Sequence, residues 1–166
     1  MRTIRTKVYQ FSELSKAAKL KAIEWYRMAD YGDWQFVWDY IKEDAKEIGL
    51  KVIELSDHKV NEGEFMLSAH EVAANIIRDH GNECETYKTA QSFLDTVNDI
   101  QGNCPEMEGG DYESEMMDAE DEFLKSLLED YRIMYNQDID YQNSDEAITE
   151  AITINEYEFK ADGTRF

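Results

Sequence analysis

Apolar residues recur every three or four positions over residues 115–135, the longest amphipathic stretch of the chain. These positions are Met116, Met117, Phe123, Leu124, Leu127, Leu128, Tyr131, Met134 and Tyr135. Their spacing predicts a helix of about six turns, at ~3.6 residues per turn, with one buried face. Acidic side chains fall off this stripe, at Asp118, Asp121, Glu122 and Glu129. One element is therefore predicted to supply both a long buried seam and a densely charged outer face.

The same period predicts five further helices, several of which begin at a capping residue. They run from Ser12 or Ser15 to about Ala29, from Asp33 to Gly49, from Ser68 to Gly81, from about Thr86 to Ile100, and from a cap in Asn143-Ser144-Asp145 onward. Ser68 and Glu71 have the spacing of a capping box, in which each side chain bonds the other residue's backbone N–H. Gly49 is placed to end the second helix.

Alternating apolar and polar residues predict short strands at residues 4–11, 51–55, 64–67 and 155–160, and Asp162-Gly163 is a turn signal. We therefore predict an α+β fold with about six helices packed on a small, mainly antiparallel sheet that includes the N- and C-terminal strands. A length of 166 residues favours a single domain over residues 1–166. Residues 101–113 contain three glycines, the only proline and no basic residue, which predicts a mobile acidic loop.

Acidic residues outnumber basic residues by 37 to 17, so the formal net charge is −20. Residues 1–30 hold seven bases and three acids, residues 31–100 hold six and fifteen, and residues 101–166 hold four and nineteen. An acidic surface repels nucleic acid and anionic membranes, and it attracts basic proteins by long-range steering. We expect a host protein with a basic surface as the partner, and no direct binding to nucleic acid or membrane.

Cysteine usage and hydropathy indicate a soluble cytoplasmic protein. Two cysteines, Cys84 and Cys104, are too few for a disulfide scaffold, and reduced thiols are the default interpretation. The first eleven residues lack the apolar region of a signal peptide. No apolar run approaches the ~20 residues of a membrane span.

The sequence contains little that is typical of catalysis or metal binding. A structural zinc site needs three or four ligands in close pairs, whereas the candidates occur singly, at His58, His70, His80, Cys84 and Cys104. Oxygen ligands for calcium occur without the EF-hand pattern, at Glu106, Glu108, Asp111 and Glu113. No G-x-S-x-G, P-loop or G-x-G-x-x-G motif is present. We therefore expect no enzyme activity, no cofactor and no metal site.

Four segments carry a resemblance to a known family. They read YQFSELSKAAKLKAIEWYR (9–27), DYIKEDAKEIGLKV (39–52), HGNECETYKTAQSFL (80–94) and FLKSLLEDYRIMYNQDIDYQNSDEAITEAITINEYEFKADGTRF (123–166). The chain resembles an uncharacterised family found in bacteriophages, prophages and mobile elements, some members of which are loosely labelled antitoxin-like. The resemblance covers most of the chain apart from the acidic loop, and its last segment is the most specific. It implies a phage or mobile-element context, and it transfers no catalytic or binding residue.

Charge and context together favour one functional hypothesis. Carboxylates one helical turn apart, such as Asp118 and Glu122, lie ~6 Å apart along a helix axis, and duplex DNA carries one charge per ~1.7 Å of its axis. The chain is thus expected to inhibit a host nucleic-acid-binding defence protein, and the mechanism considered is mimicry of DNA. The contacting carboxylates are predicted to be Glu113, Glu115, Asp118, Asp121, Glu122 and Glu129.

Three alternatives stay open at this point. An antitoxin-like protein could use the same face to mask a basic toxin. A metal-binding or enzymatic accessory protein is a second alternative. The acidic face could also be only a solvated surface that keeps the protein soluble.

Overall fold

The structure, a computed structural model, describes residues 6–29, 34–56, 61–103 and 111–166. Its helices are α1 (Lys16–Met28), α2 (Trp34–Ile48), α3 (Ala69–Asp79), α4 (Glu85–Asn103), α5 (Asp111–Gln142) and α6 (Asp145–Ile154). Its strands are β1 (Tyr9–Gln10), β2 (Leu50–Glu54), β3 (Glu62–Phe65) and β4 (Glu158–Phe159). The predicted α+β class, with six helices and antiparallel strands, is confirmed. None of the helices that the structure describes has a stretch long and apolar enough to cross a membrane.

The strands form two small sheets, whereas the sequence pattern predicted one shared sheet. β1 pairs with β4, with Tyr9 opposite Phe159, and β2 pairs with β3, with Leu50 opposite Phe65. Both pairings are antiparallel, and the two terminal strands pair with each other, which the sequence pattern had left open. The strand predicted at residues 4–11 is shorter in the structure, where β1 comprises only Tyr9 and Gln10 among the described residues. Residues 4 and 5 lie outside the described part.

The chain divides into two compact units within the domain predicted over residues 1–166. Unit 1 comprises Met1–Trp34 and Gln137–Phe166, and unit 2 comprises Gln35–Asn136. The boundary falls inside α5, so most of this helix belongs to unit 2.

Unit 1 is built around Phe159 of β4, which is fully buried. The ring of Trp25 meets the rings of Phe159 and Tyr157 edge-on, with centroid distances of 5.8 and 5.6 Å. This edge-to-face arrangement is the one that aromatic quadrupoles favour. The buried residues that surround Phe159 come from the 3₁₀ turn Phe11–Glu13, from Leu14, and from α1 and α6: Phe11, Leu14, Ala18, Ala22, Ile23, Ile148 and Ile152.

The last residues of unit 1 fold back on β4. Arg165 forms an isolated antiparallel β-bridge with Phe159, and the backbone N–H of Lys160 donates to the carbonyl of Thr164 at 2.9 Å. Gly163 lies inside this turn at φ +84°, so the turn predicted at Asp162-Gly163 is present. The Asp162 carboxylate accepts bonds from the Thr164 side chain and backbone and from Lys21, and these bonds hold its pKa well below the ordinary value.

Helix starts follow the predicted caps. The hydroxyls of Ser15, Ser68 and Ser144 accept from the backbone N–H three residues on. At α3, the N–H of Ser68 in turn donates to Glu71 at 3.0 Å, which completes the capping box. α2 ends at Ile48, directly before the predicted stop Gly49, whose φ of +93° few other residues adopt without strain. Asp33, the predicted cap of α2, lies outside the described residues.

We expect Ser68→Ala to lower the free energy of unfolding by about 1 kcal/mol, because the substitution removes the bond to the Glu71 N–H and the 2.7 Å bond from the hydroxyl to the Glu71 carboxylate. Equilibrium urea unfolding measures this change. The matched control is Ser114→Ala, because Ser114 is an exposed serine inside α5, where alanine suits the helix. Equal effects of the two substitutions would contradict the assigned cap.

Unit 2 packs α2, α3, α4 and the β2–β3 hairpin around the middle of α5. Leu127 and Tyr131 of α5 are fully buried, and the ring of Phe123 stacks on Phe93 of α4 at 4.3 Å. The other buried residues of this core are Ile41, Ala45, Ile48, Leu50, Val52, Ala69, Val72, Ala73, Ile76, Ala90, Val97 and Leu128. The predicted apolar stripe of α5 is thus its buried face from Phe123 to Tyr131, whereas the predicted stripe residue Met117 is exposed.

α5 is longer than predicted, since it spans 32 residues, whereas the apolar pattern covers residues 115–135. It begins at Asp111, and α4 extends to Asn103, so residues 101–103 and 111–113 of the predicted acidic loop are helical. Residues 104–110 of that loop lie outside the described residues.

Candidate functional site

The negative charge of the protein is concentrated in unit 2. Residues 35–136 contain eight bases and 25 acids, a net charge of −17. The remaining 64 residues contain nine bases and twelve acids, a net charge of −3. A surface that attracts cations by long-range electrostatics is therefore to be sought in unit 2.

The first twelve residues of α5, which we call the acidic segment (residues 111–122), carry seven acids and no base. All seven side chains are exposed. At 1.5 Å per residue, the segment presents one negative charge per about 2.5 Å of its axis. This density lies between that of one DNA strand, ~3.4 Å per charge, and that of the duplex, ~1.7 Å per charge.

Four of the seven acids lie in a row on one side of the helix. Asp111, Glu115, Asp118 and Glu122 are separated by four, three and four residues, which places them within about 60° of each other around the axis. Successive members lie about 4.5 to 6 Å apart along the axis. This outer row points away from the buried residues Leu127 and Tyr131.

The structure brings together only part of the predicted site. Glu115, Asp118 and Glu122 belong to the outer row, whereas Glu113 and Asp121 are exposed at other angles around the helix. Sequence reasoning missed Asp111, which was assigned to the acidic loop. Its spacing of four residues before Glu115 was the signal that could have identified it.

Glu129 was predicted to face outward with the other contacting carboxylates, and this prediction is corrected. Its carboxylate is half-buried and is bound by other side chains of the protein. Arg132 donates to both of its oxygens at 2.6 and 2.8 Å, and the side chain of Asn61 donates to it at 3.2 Å. The bond from Arg132 is the main cause that holds the pKa of Glu129 below the ordinary value. The sequence also places Lys125 between Glu122 and Glu129, so the outer row ends at Glu122.

No ion pair or side-chain hydrogen bond involves the seven carboxylates of the acidic segment, as far as the described residues are concerned. Asp111 and Glu113 gain from the helix dipole at the first turn, which gives them a local structural role. Asp118 and Glu122 gain nothing comparable, and like charges one turn apart cost a few tenths of a kcal/mol. The fold therefore carries a repulsion that its own described contacts do not offset.

Beside the acidic segment, α4 and α5 enclose an open cavity of about 340 Å³, which we call the α4–α5 groove. The two helices run antiparallel here, because Thr89 bonds Asp130 while Phe93 stacks on Phe123. Apolar residues Phe93, Phe123 and Ala119 line the groove together with four hydroxyl side chains. Two charged residues, Lys88 and Glu122, complete its lining, so Glu122 belongs both to the outer row and to the groove.

A separate polar network lies in the interior of unit 2. The hydroxyl of Tyr131 donates to Asp44 at 2.8 Å, and burial together with this carboxylate raises the pKa of Tyr131 far above its ordinary value. The His80 ring shares a hydrogen bond with the buried Thr86 hydroxyl at 2.8 Å and lies 4.0 Å from Asp44. These contacts join α2, the α3–α4 connection and α5, so they are a structural tie between packed helices.

Within the described ranges, no three or more His, Cys, Asp or Glu side chains are placed to hold a metal ion. Cys84 is exposed and forms no disulfide. Several residues considered for zinc or calcium lie outside those ranges, namely His58, Cys104, Glu106 and Glu108.

Comparison of the chain with protein families, with curated proteins and with solved structures yields no match. The resemblance to a phage and mobile-element family stays a prediction, and the outer row of α5 is the candidate site that the fold itself presents.

Proposed function

We propose that this protein is an acidic decoy that binds the basic, nucleic-acid-binding surface of a host defence protein and blocks it. One observation carries the proposal: the acidic segment presents seven exposed carboxylates, without partners among the described residues, at a linear charge density between those of single-stranded and duplex DNA. The outer row supplies the contacts and Asp121 lies beside it, whereas Glu113 lies on the opposite side of the helix, about 200° from Asp111 around the axis. No catalytic step is assigned to the chain.

The mechanism is competition for cations. A nucleic-acid-binding cleft gains much of its affinity from lysine and arginine contacts to phosphates, and these contacts carry no sequence information. Carboxylates on a rigid helix offer the same charge with fixed spacing, so they occupy the cleft without being a substrate. The net charge of −17 on unit 2 adds long-range steering, which raises the association rate at low ionic strength.

The setting of the proposal is the cytoplasm of a bacterial cell that carries a phage or mobile element, as the family resemblance implies. There the protein would meet host nucleases and other DNA-binding defence proteins. Its own acidic surface keeps it off nucleic acid and anionic membranes, because like charges repel over about a Debye length, ~8 Å at physiological salt.

Affinity capture from the host lysate tests the proposal. With the full chain as bait, we expect a DNA- or RNA-binding protein to be retained at about 50 mM salt and released by about 500 mM salt. Duplex DNA added at low salt should displace it. Mass spectrometry identifies the captured protein, and a nuclease or filter-binding assay measures its inhibition.

Two results would contradict the decoy mechanism. Retention of the captured protein in 1 M salt, about sevenfold above physiological ionic strength, would show that charge contributes little to binding. A captured partner that binds DNA equally well with and without this protein would show that its nucleic-acid cleft stays open.

A further inference from the structure

The α4–α5 groove has an apolar floor and a polar rim. The stacked rings of Phe93 and Phe123 are both buried, and Ala119 is half-buried beside them. Ser92 and Glu122, on the rim, are exposed. A volume of about 340 Å³ is at the low end for small-ligand pockets, which suits one long side chain better than a large ligand.

The hydroxyls of the groove present acceptors. The Thr89 hydroxyl donates its proton to Asp130 at 2.7 Å, and the Thr96 hydroxyl donates its proton to the Ser92 carbonyl at 3.0 Å. A hydroxyl whose single proton is already used can only accept from a ligand. These two oxygens therefore favour a ligand that is rich in donors.

The charges of the groove also favour a cation. Lys88 donates to Glu85 at 2.7 Å, so its charge is compensated within α4. Glu122 has no ion pair among the described residues. The uncompensated charge on the rim is therefore negative, and an anionic ligand would face the Glu122 carboxylate and two hydroxyls that can only accept, beside a Lys88 that is already paired.

We propose that the α4–α5 groove is the binding pocket for an arginine side chain of the protein partner. The aliphatic part of the arginine lies over Ala119 and the Phe93–Phe123 pair, and the guanidinium bonds Glu122 and the hydroxyl acceptors. Arginine fits better than lysine because its planar head has five donors for Glu122 and the hydroxyl acceptors, whereas an ammonium is compact and strongly hydrated. The inference rests on the proposed function, since it assumes a basic partner at the acidic segment.

An arginine in this pocket would fix the position of the partner along α5, which the charges of the outer row alone do not do. Exposed carboxylates attract any cation and do little to orient it, and each such ion pair adds about 1 kcal/mol or less to the binding free energy. A single long side chain inserted among well-packed groups is typical of the few residues that dominate a protein interface.

The test compares two peptides of equal length and charge, octalysine and octaarginine, titrated into the full chain at low salt by calorimetry. We expect octaarginine to bind about tenfold tighter, the effect of one anchoring side chain that donates several hydrogen bonds. NMR should show shifts of the Phe93 and Phe123 ring protons with octaarginine and not with octalysine.

Filling the groove separates the anchor from general arginine preference. Ser126→Leu places a larger apolar side chain in the lining and leaves every charge in place. It should therefore reduce the preference for octaarginine over octalysine from about tenfold to no more than about threefold. Ser92→Leu, at an exposed rim position, repeats the test if the first variant folds poorly. Ser114→Leu is the matched control, an exposed serine of α5 outside the groove, and should keep the tenfold ratio.

The outcomes distinguish this inference from the proposed function. Equal affinities of the two peptides for the unmodified chain, or a ratio that survives both groove-filling variants, would overturn the arginine pocket and leave the acidic decoy standing. Failure of both peptides to bind at low salt would overturn the decoy and the pocket together.

Discussion

Gly163→Ala will lower the free energy of unfolding of unit 1 by several kcal/mol. Gly163 sits at φ +84°, where an L-residue with a Cβ costs about 1–2 kcal/mol. A Cβ built there would lie 2.9 Å from the Ala18 Cα and closer still to the Ala18 carbonyl, which belongs to the backbone of α1. Backbone of a packed helix cannot move aside like a flexible side chain, so overpacking adds about 1–3 kcal/mol.

Two glycines provide matched controls for this substitution. Gly81 and Gly102 have open space where a Cβ would be added, and neither has a positive φ. Gly102→Ala lies in α4 and should raise stability by up to about 1 kcal/mol, while Gly81→Ala should be nearly neutral. Thermal unfolding with hydrogen exchange of the α1 and α6 amides measures the changes. Normal exchange in Gly163→Ala would show that the C-terminal turn does not pack on α1 as assigned.

Local chemistry explains which parts of the fold were predictable. A cap needs only residues three positions apart, so the sequence identified Ser68 as a helix start and narrowed two others to Ser12 or Ser15 and to Asn143-Ser144-Asp145. Gly49 follows the same logic, because the end of a helix is coded in its last turn. The apolar stripe of α5 was predictable because periodicity reports burial directly.

The missed features depend on partners that are distant in the sequence. Whether the four strands form one sheet or two depends on which strands pair, and the alternation of residues within a strand does not contain that information. The first turn of α5 has no apolar stripe of its own, so residues 111–113 looked like loop although the helix begins there. Terminal turns are commonly polar, and periodicity alone underestimates helix length at such ends.

The candidate site shows the same division. Exposure of Glu115, Asp118 and Glu122 follows from their phase relative to the apolar stripe, which the sequence contains. The contact of Glu129 with Arg132, three residues on, was within reach of sequence reasoning, but the one with Asn61 was not. The α4–α5 groove was beyond prediction, because it exists only through the antiparallel packing that stacks Phe93 on Phe123.

Reversing two charges of the outer row, by Asp118→Lys and Glu122→Lys together, should weaken binding to the captured partner about 100-fold or more. An ion pair at about 4 Å in water is worth about 1 kcal/mol, and reversal turns each attraction into a repulsion of similar size. Reversing both charges thus lowers the binding free energy by about 4 kcal/mol without screening, and by about 3 kcal/mol once salt screens the charges. The slope of log Kd against log salt should fall by about two, one for each lost contact.

The double variant Glu43→Lys with Glu47→Lys is the matched control for this change. Both glutamates are exposed and lie one turn apart on α2, so the control alters the net charge and the helical spacing identically. If net charge alone attracted the partner, the two double variants would weaken binding equally and the outer row would not be the binding site. If the row is the site, the control should keep the unmodified salt slope and lose only the smaller, long-range part of the affinity, because its lysines do not contact the partner.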